Sequence, residues 1–260
     1  MKNIVKRVSI AALAMVVILI GVIVFNSVRI SSTPLEQKYI AHAGGILDGH
    51  IYTNTVEAAE RSARLGYKYI EIDFLVTSDD QLIAGHDWQS FNKLTGFECN
   101  GGSPTTFEEA KSRKYLDYNV AGADDIARFF EAHPDMILVT DKVDDPRLLD
   151  KYFANMKDRL LVESFGGAYR YLRLKEQGYT PMLSISWSFR SLFHPKLILT
   201  GGVEWAAMDY SSMSKYKLWF MSKVLGIKLA LFTIDDPDKC EEFGKYGTLI
   251  YTNSRLHGGN

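Results

Sequence analysis

A TIM-like (β/α)8 barrel behind a single N-terminal transmembrane helix is the architecture this 260-residue sequence predicts. Three observations predict it. An uncharged stretch runs from Val8 to Val28, with Lys2, Lys6 and Arg7 before it. From Lys38 onward, apolar runs of strand length alternate with segments of helical periodicity, the pattern of parallel strands joined by crossover helices. With 47% apolar residues, a chain of this length suits one barrel with one large core.

At about 1.5 Å per residue, a helix over Val8–Val28 spans roughly the 30 Å hydrocarbon core of a bilayer. A cleavable signal peptide has a shorter apolar region, about 7–15 residues, followed by small residues at the cleavage site. Asn26-Ser27-Val28-Arg29 offers no such site. Residues 1–29 are therefore predicted as an uncleaved signal-anchor, 30–37 as a linker around Ser31-Ser32-Thr33-Pro34, and 38–260 as the barrel. The basic residues ahead of the span hold the N-terminus in the cytoplasm, which makes the barrel extracytoplasmic on a single-pass anchor. No Cys follows the apolar region, which argues against a lipoprotein.

Strands are predicted at Tyr39–Ala43, Tyr69–Val76, Gln81–Gly85, Met136–Val143, Leu160–Phe165, Met182–Ser186, Trp205–Tyr210 and Lys228–Ile234, with Leu249–Thr252 closing the series. Helices fit between them at Thr55–Leu65, Phe107–Arg113, Ala123–Ala132, Arg147–Met156, Ala168–Gln177, Phe189–Leu199, Lys215–Leu225 and Pro237–Lys245. An open doubly wound sheet would place a G-x-G-x-x-G loop after its first strand, and none is present. Leu94–Thr106, rich in Gly and Pro, reads as a loop excursion.

Residues 1–29 hold four of the 30 basic side chains and no acidic one, which leaves the remainder with 26 basic against 31 acidic. A domain of net charge −5 lacks the basic footprint of a nucleic-acid binder. Cys99 and Cys240 are too few for a thiolate metal site or a disulfide scaffold, although export permits one disulfide.

Glu71 and Asp73 are one residue apart on a predicted strand and so share one face, while Ile70, Ile72 and Phe74 share the other. In a barrel strand that carboxylate face is the lumen. Two lumen carboxylates repel and are poorly solvated unless a cation joins them, and hard oxygen ligands suit Mg²⁺ or Ca²⁺ better than zinc. His42 ends the first predicted strand and His86 the third. Two imidazoles facing a carboxylate pair supply what phosphodiester cleavage needs, a base for the nucleophile and an acid for the leaving alkoxide. His50, His133, His194 and His257 lack that setting and read as loop or surface residues.

The series His42-Ala43-Gly44, Asn54-Thr55 with Glu57-Ala58-Ala59, Gly66, Glu71-Ile72-Asp73, Thr77-x-Asp79 and His86-Asp87 resembles the glycerophosphodiester phosphodiesterase family, with its H-R-G, E-N-T, E-x-D, T-x-D and H-D motifs in the same order. More faintly, Leu138–Val143 resembles the family's E-x-K strand, Val162–Phe165 its strand ending in Ser-Phe, Leu231–Ile234 its W-T-x-N strand, and Gly247–Asn253 its closing G-x-D-x-I-x-T-D element. The resemblance implies a TIM-like barrel, a divalent cation held by Glu71 and Asp73, acid–base work by His42 and His86, and hydrolysis of a glycerol-linked phosphodiester. It also implies a small-molecule or lipid-derived phosphodiester substrate, while the N-terminal apolar stretch itself makes the membrane the expected partner.

Departures are informative. Ala43 stands for the Arg of H-R-G, Thr53 for the Glu of E-N-T, and Thr140 for the metal-binding Glu of E-x-K, whose Lys survives as Lys142; Asn253 replaces the closing Asp. Asp141 is the leading candidate for a third metal ligand, yet strict alternation from Lys142 puts it on the opposite face unless the strand bulges. Glu163 and Asp209 are lesser candidates. Lys142 is expected to neutralise substrate phosphate, and Trp88, Trp187 and Phe232 are candidates to shape a pocket. Alternative readings are a phospholipase C- or D-like enzyme acting on lipid, an enzyme of cell-wall polymer, and a binding module that lost its metal.

Overall fold

In the computed structural model, which describes residues 2–34, 37–165, 167–185 and 202–253, eight parallel strands close into a barrel. In chain order the strands are β1 (Tyr39–Ala41), β2 (Tyr69–Val76), β3 (Leu82–Ala84), β4 (Lys114–Tyr115), β5 (Tyr118–Asn119), β6 (Ile137–Asp141), β7 (Leu160–Ser164), β8 (Thr180–Ser184), β9 (Trp205–Asp209), β10 (Lys228–Phe232) and β11 (Leu249–Thr252). Parallel pairing runs β2, β6, β7, β8, β9, β10, β11, β1, and β1 closes the ring on β2.

Two-residue periodicity separates two cores. Ile40, Val139, Leu161, Met182, Ala207, Ala230 and Tyr251 fill the lumen. Ile70, Ile72, Leu138, Val162, Leu183, Ala206 and Leu229 point outward and pack under the helices. Inward and outward positions alternate along each strand as the pleat requires.

β3 is not a barrel strand, contrary to the expectation for Gln81–Gly85. β2 is eight residues long and rises past the barrel rim, and β3 pairs with that overhang antiparallel, Phe74 opposite Ala84 and Val76 opposite Leu82. The chain thus returns downward, and the Gly85 amide donates to the Asp73 carbonyl at 3.0 Å. Run length alone cannot distinguish such a return from a ninth wall strand. β4 and β5 form a separate two-stranded hairpin. The predicted helix Phe189–Leu199 lies outside the described residues.

Helix α1 runs Lys2–Ser31, so it covers two residues of the expected linker. Residues 6–22 are exposed, and Val8, Leu13, Val17, Ile20 and their neighbours present apolar surface on every side. The last two turns differ: Ile23, Asn26, Ser27 and Ile30 share one face, and Asn26 and Ile30 are buried against the barrel. Asn26 Nδ2 donates to Lys223 O at 2.9 Å, Arg29 donates to Gly226 O at 3.1 Å, and Lys38 Nζ donates to Ile30 O at 2.7 Å and Gly244 O at 2.9 Å.

Candidate active site

The C-terminal rim of the barrel gathers the carboxylates, imidazoles and lysine singled out in the sequence. Glu71 and Asp73 both face the lumen and are buried. β6 pairs in register with β2, Glu71 opposite Val139 and Asp73 opposite Asp141, so Asp141 faces inward without a bulge. Carboxylate oxygens of Glu71, Asp73 and Asp141 lie within 4.8 Å of one another. Lys142 is the residue that is re-aimed. Its φ of 63° turns the chain at the strand end, and its ammonium comes back to 2.8 Å from Asp141 Oδ2 and 3.8 Å from Asp73 Oδ1. Alternation misplaced Asp141 because it was counted from Lys142, which lies beyond the pleat.

Two short loops hold this cluster. Ala43, at φ 49°, directs its amide to Glu71 Oε2 at 2.6 Å. Asn54 clasps Asp73 twice: its Nδ2 donates to Oδ2 at 3.1 Å, and its Oδ1 accepts from the Asp73 amide at 2.9 Å. Thr55 then caps helix α2 (Val56–Arg64) by accepting from the Ala58 amide. Gly44, at φ 85°, passes so close to α2 that a Cβ there would sit 3.0 Å from that of Ala58.

The electrostatics are those of an acidic pit. Burial, then repulsion from Asp73 and Asp141, pushes the Glu71 carboxyl well above its ordinary range, and burial and Asp73 do the same to Asp141. Burial followed by the Asp141 charge pushes Glu163 up to about 8, and the buried Tyr251 phenol is raised as well. Burial works against the Lys142 ammonium, but Asp141 outweighs it and holds Lys142 above its ordinary value. Glu71 Oε1 and Asp141 Oδ1 are buried without a hydrogen-bond partner. Orphaned carboxylate oxygens converging beside the Lys142 ammonium fit a hard divalent cation.

Both imidazoles are fixed through Nδ1. His42 Nδ1 donates to Asn253 Oδ1 at 2.8 Å, and Asn253 Nδ2 donates to Asp235 Oδ2 at 2.8 Å. His86 Nδ1 donates to Asp87 Oδ2 at 2.9 Å, while Asp87 Oδ1 caps helix α3 (Trp88–Leu94). Burial raises the Asp87 carboxyl, but hydrogen bonds from His86 and the Ser90 amide outweigh it, leaving the group at about 2. Desolvation holds His42 below the ordinary imidazole range, with the Asn253 bond opposing. The Tyr52 ring stands between the two histidines, edge-on to both, at centroid distances of 4.7 Å and 5.6 Å. A recess of about 430 Å³ opens on the His86 side of Tyr52, walled by Asn54, Phe91, Leu94 and Tyr115 among others.

The remaining candidates sit in varied settings. Asp209 accepts from Ser211 and caps a turn. Trp88 donates to Val76 O and packs on Phe91. Phe232 packs on Tyr251. His50 is exposed and His133 Nδ1 donates to Phe129 O, whereas Trp187, His194 and His257 lie outside the described residues. Both cysteines are free. Tyr52 and Asp235 belong to the site but carry no motif that sequence reading could use.

No curated protein matches the chain. Solved structures share its fold. A glycerophosphodiester phosphodiesterase from Parabacteroides distasonis superposes with a TM-score of 0.65 at 21% identity, covering 84% of this chain and 93% of its own. A putative glycerophosphoryl diester phosphodiesterase from Agrobacterium tumefaciens gives 0.66 at 14%, covering 84% and 94%. An Oleispira antarctica phosphodiesterase, solved with its product sn-glycerol-3-phosphate, gives 0.64 at 17%, covering 86% and 94%. Residues 43–162, which carry Glu71, Asp73, His86 and Asp141, match the glycerophosphoryl diester phosphodiesterase family.

Proposed function

We propose that the protein hydrolyses glycerol-linked phosphodiesters to glycerol 3-phosphate and an alcohol, with a divalent cation and two histidines. The observation that carries this reading is the convergence of Glu71, Asp73 and Asp141 within 4.8 Å, below two imidazoles whose Nδ1 atoms are already engaged. The family match over residues 43–162 and the glycerol phosphate bound to the Oleispira structure of the same fold support the substrate class.

A Mg²⁺ or Ca²⁺ ion held by Glu71, Asp73 and Asp141 would supply Lewis-acid polarisation of the phosphoryl oxygens. Lys142, on the open side of the cluster, offsets the remaining phosphate charge in place of the arginine lost at Ala43. Each histidine donates through Nδ1 and so presents Nε2 to the substrate. Burial favours the neutral ring of His42, which suits it to take the proton of the nucleophile. His86 then protonates the leaving oxygen, beside a recess that can receive the departing alcohol. α1 serves as a single-pass membrane anchor, with the barrel on the extracytoplasmic side.

The test is turnover of bis-p-nitrophenyl phosphate and of a glycerophosphodiester by purified full-length protein, before and after chelation. The reading expects activity to vanish with chelator and return with Mg²⁺ or Ca²⁺. Full activity in metal-free protein would overturn the metal site. Binding of diester and metal without turnover would make the barrel a binding module.

A further inference from the structure

We propose that the barrel stands on the bilayer through its closed end, so that the site opens away from the membrane holding α1 and draws diesters from the water phase rather than phospholipids from that bilayer. This rests on the reading that α1 crosses the membrane and that the rim cluster cleaves diesters.

The geometry comes from three adjacent parallel strands, β10, β11 and β1. At their C-terminal ends stand Asp235, Asn253 and His42, joined by hydrogen bonds into one side of the site. At their N-terminal ends stand the partners of α1. Gly226, which accepts from Arg29, lies two residues before β10; Gly244, which accepts from Lys38, precedes β11; and Lys38, which donates to Ile30, immediately precedes β1. Because the strands are parallel, anchor and catalytic side chains occupy opposite ends of the same wall.

The anchor also leaves the barrel rather than climbing it. The covered positions, Ile23, Asn26, Ser27, Arg29 and Ile30, all fall in the last two turns, while residues 6–22 are exposed on all faces. A helix rising along the barrel side toward the rim would bury a stripe over most of its length. The membrane-spanning turns therefore project from the closed end. Asp73 lies four residues beyond the start of β2 at Tyr69, about 13 Å along the strand, with the mouth facing farther away. A phosphodiester at headgroup depth in the anchoring bilayer lies under the barrel floor. The hydrogen bonds from Asn26, Arg29 and Lys38 make this a fixed seat rather than a swivel.

Full-length protein in vesicles of phosphatidylcholine and phosphatidylglycerol tests the arrangement in two independent ways. With Cys99→Ser as background, a donor dye goes on Gln89→Cys at the rim or Lys245→Cys at the closed end, both exposed positions outside the site. Energy transfer to a headgroup acceptor should be strong from position 245 and clearly weaker from 89. Stronger transfer from 89, or protein released from the vesicles by alkaline wash, would overturn the proposal. In the same vesicles, aqueous glycerophosphoglycerol should be cleaved at least about tenfold faster than the phosphatidylglycerol of the bilayer, since its phosphate can reach the site. Equal cleavage of the lipid would also overturn it. Cleavage of neither under any divalent metal would refute the diesterase reading, and the dye distances would still decide the orientation.

Discussion

His42 Nδ1 lies 2.8 Å from Asn253 Oδ1, and Asn253 is itself held by Asp235 through both its side-chain and backbone nitrogens. An amide oxygen can only accept, so this contact fixes a proton on Nδ1 and leaves Nε2 free for chemistry. Asn253→Ala should then lower kcat by about 10- to 100-fold with little change in KM, the usual range for residues that orient a catalytic group. His42→Ala and His86→Ala should each cost about 10²-fold or more. Steady-state kinetics on folded variants checks the ranking. Asn253→Ala as damaging as His42→Ala would place Asn253 in contact with substrate.

The carboxylate triad makes opposite predictions for activity and stability. Glu71 and Asp141 are raised by burial and by the neighbouring Asp73 charge, and each leaves an oxygen unpaired, so the metal-free barrel carries a destabilising cluster. Asp141→Asn should abolish metal-dependent turnover yet raise the melting temperature of chelated protein. Mg²⁺ or Ca²⁺ should stabilise the wild type and leave the variant unmoved. Scanning calorimetry with and without chelator reads both effects. A wild type indifferent to either ion would remove the cluster as a cation site.

Glu163 gives a pH test of the same pit. Its folded-state value is raised to about 8 from an ordinary 4.5, mainly by burial and then by Asp141. A carboxyl raised on folding contributes stability that is fully present below the unfolded value and is lost as pH climbs through the folded one. In chelator, Glu163→Gln should therefore gain on the wild type in melting temperature as pH rises from about 5 to about 9. Parallel melting curves across that window would mean that Glu163 is solvated or paired.

Most of the barrel was legible because a wall strand must alternate between lumen and helix layer, and Ile70, Glu71, Ile72 and Asp73 declare that alternation openly. The motif loops were legible because each does local backbone work, Asn54 on Asp73 and Thr55 on α2. What escaped depends on single backbone angles or on distant contacts. Nothing in Thr140-Asp141-Lys142 announces the positive φ at Lys142 that leaves Asp141 inward. Asp235 hides beside Asp236, which caps the helix Pro237–Phe243. The seat of α1 was hidden because Asn26 and Arg29 look like the polar edge of a span, and their partners Lys223 and Gly226 lie almost two hundred residues away.

That seat changes how the chain can be shortened. By sequence, residues 1–29 are separable from the barrel. In the fold, Ile30 is 2% exposed, Asn26 is 5% exposed, and Lys38 is buried with its ammonium on the Ile30 carbonyl. A buried Ile contributes roughly 2 kcal/mol and a buried hydrogen bond about 1 kcal/mol, so losing this contact set costs on the order of 3 kcal/mol after the entropy of ordering the helix end. Deleting residues 1–22 should give soluble protein with wild-type melting temperature and turnover. Deleting residues 1–31 should lower the melting temperature by roughly 5–10 °C, as expected for a domain of this size, and uncover the Lys223–Ile227 surface to aggregation. kcat per folded molecule should stay unchanged in both, because His42, Asn253 and the carboxylates sit at the other end of the strands. Equal melting temperatures for the two truncations would show that the last turns of α1 rest on the barrel without supporting it.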